Sequence, residues 1–225
     1  VKQSRRIGVN FEQARTTMIQ QQVRSWDVLD PRVLEVLQSV PREEFVPPRH
    51  RKLAFSDLRI PLGHDQVMMR PVEQGRLLQG LALNGTEHVL EVGTGSGFLT
   101  ACLAELAAYV TSVEMFEELA QQARSNLEGQ GILGIDLRVG DLFDQSFSPR
   151  SFDAVVVSAS VAEIPPVLIE LLAPGGRLAI VRGHSPAMEA LVVSRDASGV
   201  MSQESLYETD LPRLIGTEDV PQFEF

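Results

Sequence analysis

The chain reads as an α/β protein: a parallel sheet with helices on both faces, an antiparallel C-terminal edge and an N-terminal helical extension. Three features of its 225 residues predict this. From residue 72 onward, short β-branched runs alternate with amphipathic segments across short loops, the pattern of parallel strands joined by crossover helices. One run, residues 89–92, passes straight into a glycine-rich turn and then an apolar helical stretch. The final third is β-rich with little helix between runs, which suits antiparallel strands at a sheet edge.

Each element follows from local chemistry. Residues 1–9 are basic and polar and are expected to be frayed or extended. Asn10 can cap a helix from residue 11 to about 24, with Phe11, Ala14, Met18 and Val23 on its apolar face. Asp30-Pro31 starts a second helix carrying Val33, Leu34, Val36 and Leu37. It must stop near Val40, because Pro41 disfavours helical geometry before it. Residues 41–71 hold five prolines and read as loop with short extended pieces, 58–60 among them. So long an irregular stretch is either a functional lid or plain connection. A helix over 72–83 follows, with Leu77, Leu78, Leu81 and Leu83 inside and Asn84-Gly85 ending it. Strands are expected at 88–92, 110–113, 135–139, 154–157 and 177–181, with further β runs at 190–194 and 204–209. Helices are expected at 98–107, 116–128 and 165–172. Residues 1–71 then form an extension packed on a core of 72–225, the two making one structural unit.

Composition narrows the function. Hydrophobic residues make up 44% and charged residues 22%, enough for a sizeable core and too apolar for a disordered chain. Thirty acidic residues against twenty basic ones leave a net charge of −10, which argues against nucleic-acid binding. No run approaches the length of a membrane span. The first ten residues have no apolar segment behind their charges and do not read as a secretory leader. The single cysteine, Cys102, excludes an internal disulfide and leans towards a reducing, cytoplasmic setting. His50, His88 and His184 show no metal-ligand spacing. No heptad, repeat or long exposed apolar run indicates an oligomeric state.

The chemistry is concentrated in Glu91-Val92-Gly93-Thr94-Gly95-Ser96-Gly97. Ligands of open α/β sheets bind at the carboxyl ends of strands, where glycines allow a sharp turn and the next helix presents unpaired N–H groups. The spacing is G-x-G-x-G, not the G-x-G-x-x-G that cradles a pyrophosphate. Glu91, two residues before the first glycine, suits a cationic group. Glu114 ends the next strand, where a carboxylate can accept hydrogen bonds from ribose hydroxyls. Asp141 follows the third strand. The competing reading makes Glu114 and Asp141 ordinary acids at helix starts.

This run resembles the E/D-x-G-x-G-x-G motif of class I methyltransferases, with a Rossmann-like sheet and S-adenosylmethionine as cofactor. The resemblance places the methionine part on Glu91, Gly93, Thr94, Gly95, Ser96 and Gly97. It places the ribose on Glu114 and the adenine on Asp141 and Leu142, with Met115 a further cofactor contact. Over residues 10–210 the chain looks like the protein-L-isoaspartate O-methyltransferase family. The run Val40-Pro41-Arg42-Glu43-Glu44-Phe45-Val46 carries that likeness best. Ile60-Pro61-Leu62-Gly63, Ala162-Glu163-Ile164-Pro165 and Leu172-Ala173-Pro174-Gly175-Gly176 follow in the expected order. The resemblance implies an enzyme that methylates isoaspartyl carboxylates of peptides or proteins for repair.

The departures cluster on the acceptor side. The family run Gly-Gln-Thr-Ile-Ser-x-Pro is here Asp65-Gln66-Val67-Met68-Met69-Arg70-Pro71, with Met69 where Ser is expected. Methionine cannot donate a hydrogen bond to a carboxylate. Pro-Val-Gly becomes Val181-Arg182-Gly183, and Phe-Val-Pro-Leu becomes Asp210-Leu211-Pro212-Arg213-Leu214. Arg70 or Arg182 then either supplies the missing anion contact or is a solvated surface arginine. The acceptor-side candidates are His64, Asp65, Gln66, Val67, Met68, Met69, Ser158 and Ser160, with His64 either a proton acceptor or a plain loop histidine. Two rival readings stay open: transfer to an unidentified small molecule or other protein group, and a cofactor-binding module without chemistry.

Overall fold

A computed structural model describes residues 10–217; the basic residues 1–9 and the last eight lie outside the described range. Two short strands, β1 (Ile60–Gly63) and β2 (Gln66–Met68), precede the main sheet. The main sheet consists of β3 (His88–Val92), β4 (Tyr109–Glu114), β5 (Asp136–Val139), β6 (Phe152–Val161), β7 (Leu172–His184), β8 (Ala187–Arg195) and β9 (Met201–Thr209). Its seven strands lie in the order β5-β4-β3-β6-β7-β8-β9. The first five run parallel and the last two antiparallel. The chain leaves β3 for β4 on one side and later returns to β6 on the other, so the strand order reverses at β3, where open sheets bind ligands.

Both faces are buried, as period-two alternation requires. Val89, Ala154 and Val156 face one cluster, whereas Leu90, Val92, Val155 and Val157 face the other. The first cluster takes in α1 (Phe11–Met18), α2 (Pro31–Ser39), α3 (Pro71–Leu81) and α4 (Phe98–Leu106). α5 (Glu117–Gly129) adds Leu127 to it. The opposite face is covered by α6 (Pro166–Glu170) through Leu168, together with Phe147, Ile164 and Leu214.

Several elements differ from the sequence expectation. The first helix is α-helical only to Met18; a π turn, Ile19–Val23, and a 3-10 turn, Arg24–Trp26, continue it. The wider turn keeps Met18, Ile19 and Val23 all on the buried side. The expected 58–60 strand is displaced: β1 starts at Ile60 and pairs antiparallel with β2 in a hairpin. The helix expected over 165–172 shrinks to α6, because Leu172 pairs with Phe152 as the start of β7. β6 to β9 all run longer than their β-branched centres, since sheet pairing recruits flanking polar residues.

Candidate active site

A cleft opens at the carboxyl ends of β3, β4, β5 and β6, the place where open α/β sheets bind ligands. The glycine loop forms its floor. Gly95 has φ +55° and donates its N–H to Glu114 Oε2 at 2.8 Å. A Cβ there would lie 3.2 Å from Leu62 of the hairpin, so glycine is needed for backbone and approach alike. Gly97, φ +85°, lets α4 begin against Ala123 of α5 and does not itself line the cleft.

Glu91 lies beneath this loop, fully buried. Its Oε2 accepts from Thr100 Oγ1 at 2.5 Å and Ser112 Oγ at 2.7 Å, and Ser112 also meets Thr94 Oγ1 at 2.6 Å. Burial pushes its carboxyl up to about 8, against the pull of those two hydroxyls. Its Oε1 has no hydrogen-bond partner, an unusual state for a buried polar atom and a mark of an unfilled role. Thr94 and Ser96 border a second, smaller cavity rather than the main cleft.

Glu114 and Asp141 fulfil both readings of the sequence. Glu114 Oε1 accepts from the Phe116 N–H at 3.0 Å, and Asp141 Oδ1 from the Phe143 N–H at 2.9 Å, as turn-starting acids do. Both also line the cleft, beside Met115, Gly140 and Leu142. The backbone ties the three strand ends together: Gly93 N–H donates to Val113 O at 2.9 Å and Gly140 N–H to Glu114 O at 2.8 Å.

The hairpin roofs the cleft with Leu62, Gln66 and Val67. Its two-residue turn puts His64 and Asp65 at φ 51° and 56°, the paired left-handed geometry of a tight hairpin. Asp65 borders neither cavity. His64 stacks on Phe116, with ring centroids 4.3 Å apart and planes 16° from parallel, and its Nε2 lies 3.5 Å from Glu118. It therefore latches the hairpin to the start of α5. Met68 and Met69 are buried and line the smaller cavity with Gln74, Leu99 and Ser158.

Arg42, which no sequence pattern marks as a site residue, holds the segment that carries Met69. It is fully buried, donating Nε to Ala54 O at 2.8 Å, Nη2 to Met69 O at 2.6 Å and Nη1 to Gln74. Burial pulls its guanidinium down to about 9, partly offset by Cys102 and Glu73, so it stays charged at neutral pH. The Val-Pro-Arg-Glu-x-Phe-Val run is thus a clamp on the segment that carries Met69.

The placement of Ser160 needs correction, and of the two readings open for Arg70 and Arg182 the structure brings neither residue to the cleft. Ser160 is not on the acceptor side: its buried hydroxyl donates to Leu211 O at 2.8 Å and ties down the C-terminal segment. Arg70 pairs with Glu73 at 3.1 Å and lies over Trp26, away from the cleft. Arg182 meets Glu189 at 3.6 Å on a separate surface. The segment after β9 instead brings Arg213, Leu214 and Ile215 into the cleft wall. Arg213 and Leu214 fall in the 210–214 run that the sequence places on the acceptor side, whereas Phe116 and Ile215 escape a reading of the sequence because they join the site only through the fold. Among the described residues no cluster could hold a metal ion, and no helix is long and apolar enough to cross a membrane.

The residues fit S-adenosylmethionine. Two carboxylates stand at successive strand ends, an apolar slot is formed by Leu142, Phe116 and Ile215, and an unpartnered buried carboxylate oxygen underlies the glycine loop. A cationic amino-acid moiety there would favour ionisation of Glu91, offsetting the burial that holds its carboxyl protonated.

Known proteins share this fold and much of this sequence. The crystal structure of a protein-L-isoaspartate O-methyltransferase from Plasmodium falciparum, solved with S-adenosyl-L-homocysteine, superposes with a TM-score of 0.75. That match has 18% identity and covers 92% of this chain and 99% of that one. The protein-L-isoaspartate O-methyltransferase of Trichlorobacter lovleyi is 38% identical over 210 residues, 93% of this chain and 97% of its own. The protein-L-isoaspartate O-methyltransferase 1 of an Anaeromyxobacter strain is 42% identical over 180 residues, covering 79% and 85%. The family model for protein-L-isoaspartate(D-aspartate) O-methyltransferases matches residues 13–212, and the chain belongs to that family.

Proposed function

We propose that the protein transfers a methyl group from S-adenosylmethionine to the free carboxylate of isoaspartyl residues in peptides and proteins, initiating their repair. The observation that carries this is the cleft at the strand-order reversal, with Gly93, Gly95, Glu114 and Asp141 on one wall and a family-type hairpin as roof. When bound, the cofactor supplies an electrophilic methyl on sulfonium, whose passage to a carboxylate oxygen leaves a neutral ester and a neutral thioether.

The chain's own residues bind, orient and exclude water. Glu91 and the loop from Gly93 to Gly97 serve the methionine end, Glu114 with Met115 the ribose, and Asp141 with Leu142 the adenine. An isoaspartyl carboxylate is already ionised at neutral pH, so no general base is required. His64 acts as a latch rather than a proton acceptor, because its ring lies flat on Phe116 and faces Glu118. Leu62, Val67 and Met69 give the acceptor side an apolar lining, and a water-poor site favours a reaction that discharges both reactants. Residues 10–71, the described part of the extension, serve as the wall that closes this side of the core. A protein substrate and a lone buried Cys102 fit a cytoplasmic setting.

Repair is tested by incubating a synthetic L-isoaspartyl peptide with the protein and S-adenosylmethionine and following its chromatographic conversion to the aspartyl form. Conversion that depends on both supports the proposal. Cofactor binding without conversion removes it and directs attention to another acceptor.

A further inference from the structure

The smaller cavity lies where the glycine loop meets the segment that carries Met69, and it differs in charge from the main cleft. The cleft wall holds Glu114 and Asp141, whereas no described residue bordering the smaller cavity is charged. Leu62, Val67, Gly93, Gly95 and Ser158 line both, so the two spaces adjoin. Methyl transfer brings two carboxylates to this region, one on the amino-acid end of the cofactor and one on the acceptor. A carboxylate needs hydrogen-bond donors, and the side chain of Met69 has none. We propose that Gln74 is such a donor, its side-chain amide binding a carboxylate in the smaller cavity. The inference deepens the reading above and, where the carboxylate is the acceptor's, rests on it.

The orientation of the amide is decided by its neighbour. Gln74 stands near the start of α3 and is 3% exposed. Arg42 Nη1 donates to its Oε1. A guanidinium only donates, so the atom facing Arg42 is the amide oxygen, and the NH2 group points away from it. Arg42 cannot swing aside, because Nε and Nη2 are held by Ala54 O at 2.8 Å and Met69 O at 2.6 Å. Among the described residues Gln74 Nε2 has no acceptor. A buried amide nitrogen in that state is costly unless something entering the cavity accepts from it.

The surroundings suit an anion. Arg42 is charged at neutral pH and stands directly behind the amide, which polarises the NH2 group towards donation. Glu73, the next residue back, is turned away: its Oε1 accepts from Arg59 at 2.6 Å and from Thr209 at 2.7 Å. Ser158 borders the same cavity, its Cβ 3.4 Å from where a Cβ on Gly93 would lie, so its hydroxyl can serve the second carboxylate oxygen. Thr94 cannot do so as readily, because its hydroxyl is engaged with Ser112 at 2.6 Å. Arg42 thereby gains a positioning role: the run that clamps the Met69 segment also aims the amide.

The test compares wild type with Gln74→Glu, Gln74→Met and, as a control outside both cavities, Arg182→Met. Q74E is isosteric and keeps an oxygen for Arg42 but has no NH2 group; Q74M removes the donor without adding a charge. Three quantities are read: the Kd of S-adenosylhomocysteine, the Kd of 5′-methylthioadenosine, which lacks the amino-acid end, and the KM of an L-isoaspartyl peptide at saturating S-adenosylmethionine. In both Gln74 variants methylthioadenosine affinity should hold, Q74E should keep the wild-type Tm, and R182M should match wild type throughout. If the carboxylate is the cofactor's, S-adenosylhomocysteine binding weakens roughly ten- to a hundredfold, the worth of a hydrogen bond to a charged group. If it is the acceptor's, the peptide KM rises by that factor while S-adenosylhomocysteine affinity holds. Either result supports the proposal. No change in S-adenosylhomocysteine affinity or peptide KM overturns it. So does a joint loss of S-adenosylhomocysteine, methylthioadenosine and Tm in Q74E, since that is a structural role. Failure of the wild-type protein to methylate the peptide overturns the repair reading instead, and the two nucleoside affinities, which need no acceptor, then decide the role of Gln74.

Discussion

Glu91 shows how one residue can link stability to ligand readiness. Burial holds its carboxyl at about 8, above the ordinary carboxylate range. The folded protein therefore keeps a proton there that the unfolded chain has released. The stabilisation from this site is complete below the ordinary carboxylate pKa and is lost as pH rises through about 8. Glu91→Gln keeps an oxygen for Thr100 and Ser112 but cannot ionise. The Tm of ligand-free wild type should fall relative to E91Q between about pH 5 and about pH 9. A difference that stays constant across that range would contradict the assignment. A cationic ligand favours the ionised carboxylate, which E91Q cannot supply, so S-adenosylmethionine binding should weaken roughly tenfold. The acidic residue is legible in the sequence from its spacing to Gly93. Its depth is not, because the groups that surround it come from other elements, Thr100 and Ser112 among them, nine and twenty-one residues away.

At the scale of elements, the β1–β2 hairpin covers one side of the cleft with Leu62, Gln66 and Val67. Its connection to the body of the protein at the tip is the stack of His64 on Phe116 and the approach to Glu118. Such a stack is worth about 0.5–1.5 kcal/mol. His64→Ala should therefore speed dissociation of S-adenosylhomocysteine by roughly two- to tenfold with little change in Tm. Stopped-flow displacement measures it, and an unchanged off-rate would sink the latch. This hairpin is poorly legible in the sequence. Pro61 and Gly63 interrupt the alternation by which strands are recognised, and Leu62 is bulged between the paired positions. The central strands are legible for the opposite reason. They are buried on both faces, so their β-branched runs are unbroken, as at Ala154–Val157. α6 is shorter than its apolar run suggests, because such a run does not distinguish a helix from the start of a paired strand such as β7.

At the scale of the molecule, three distant parts of the chain meet at one cleft: the hairpin, the glycine loop and the segment after β9. The glycine loop is contiguous and can be read directly. Arg213 and Ile215 arrive there only because Ser160 binds the backbone at Leu211 and Pro212, a contact no local pattern encodes. Arg42 is visible as part of a family-like run, but its three acceptors belong to other segments. A ligand that joins these parts should stabilise the whole fold. S-adenosylhomocysteine at about a hundred times its Kd should add about 2.7 kcal/mol, raising Tm by roughly 5–10 °C for a chain of this size. No shift, with binding confirmed, would mean that the cleft is not part of the cooperative unit. The most direct measurement of the account as a whole is transfer of labelled methyl from S-adenosylmethionine to an L-isoaspartyl peptide, run beside its matched aspartyl peptide. The account predicts base-labile label on the isoaspartyl peptide alone. Label on neither peptide, while S-adenosylmethionine still binds, would contradict it.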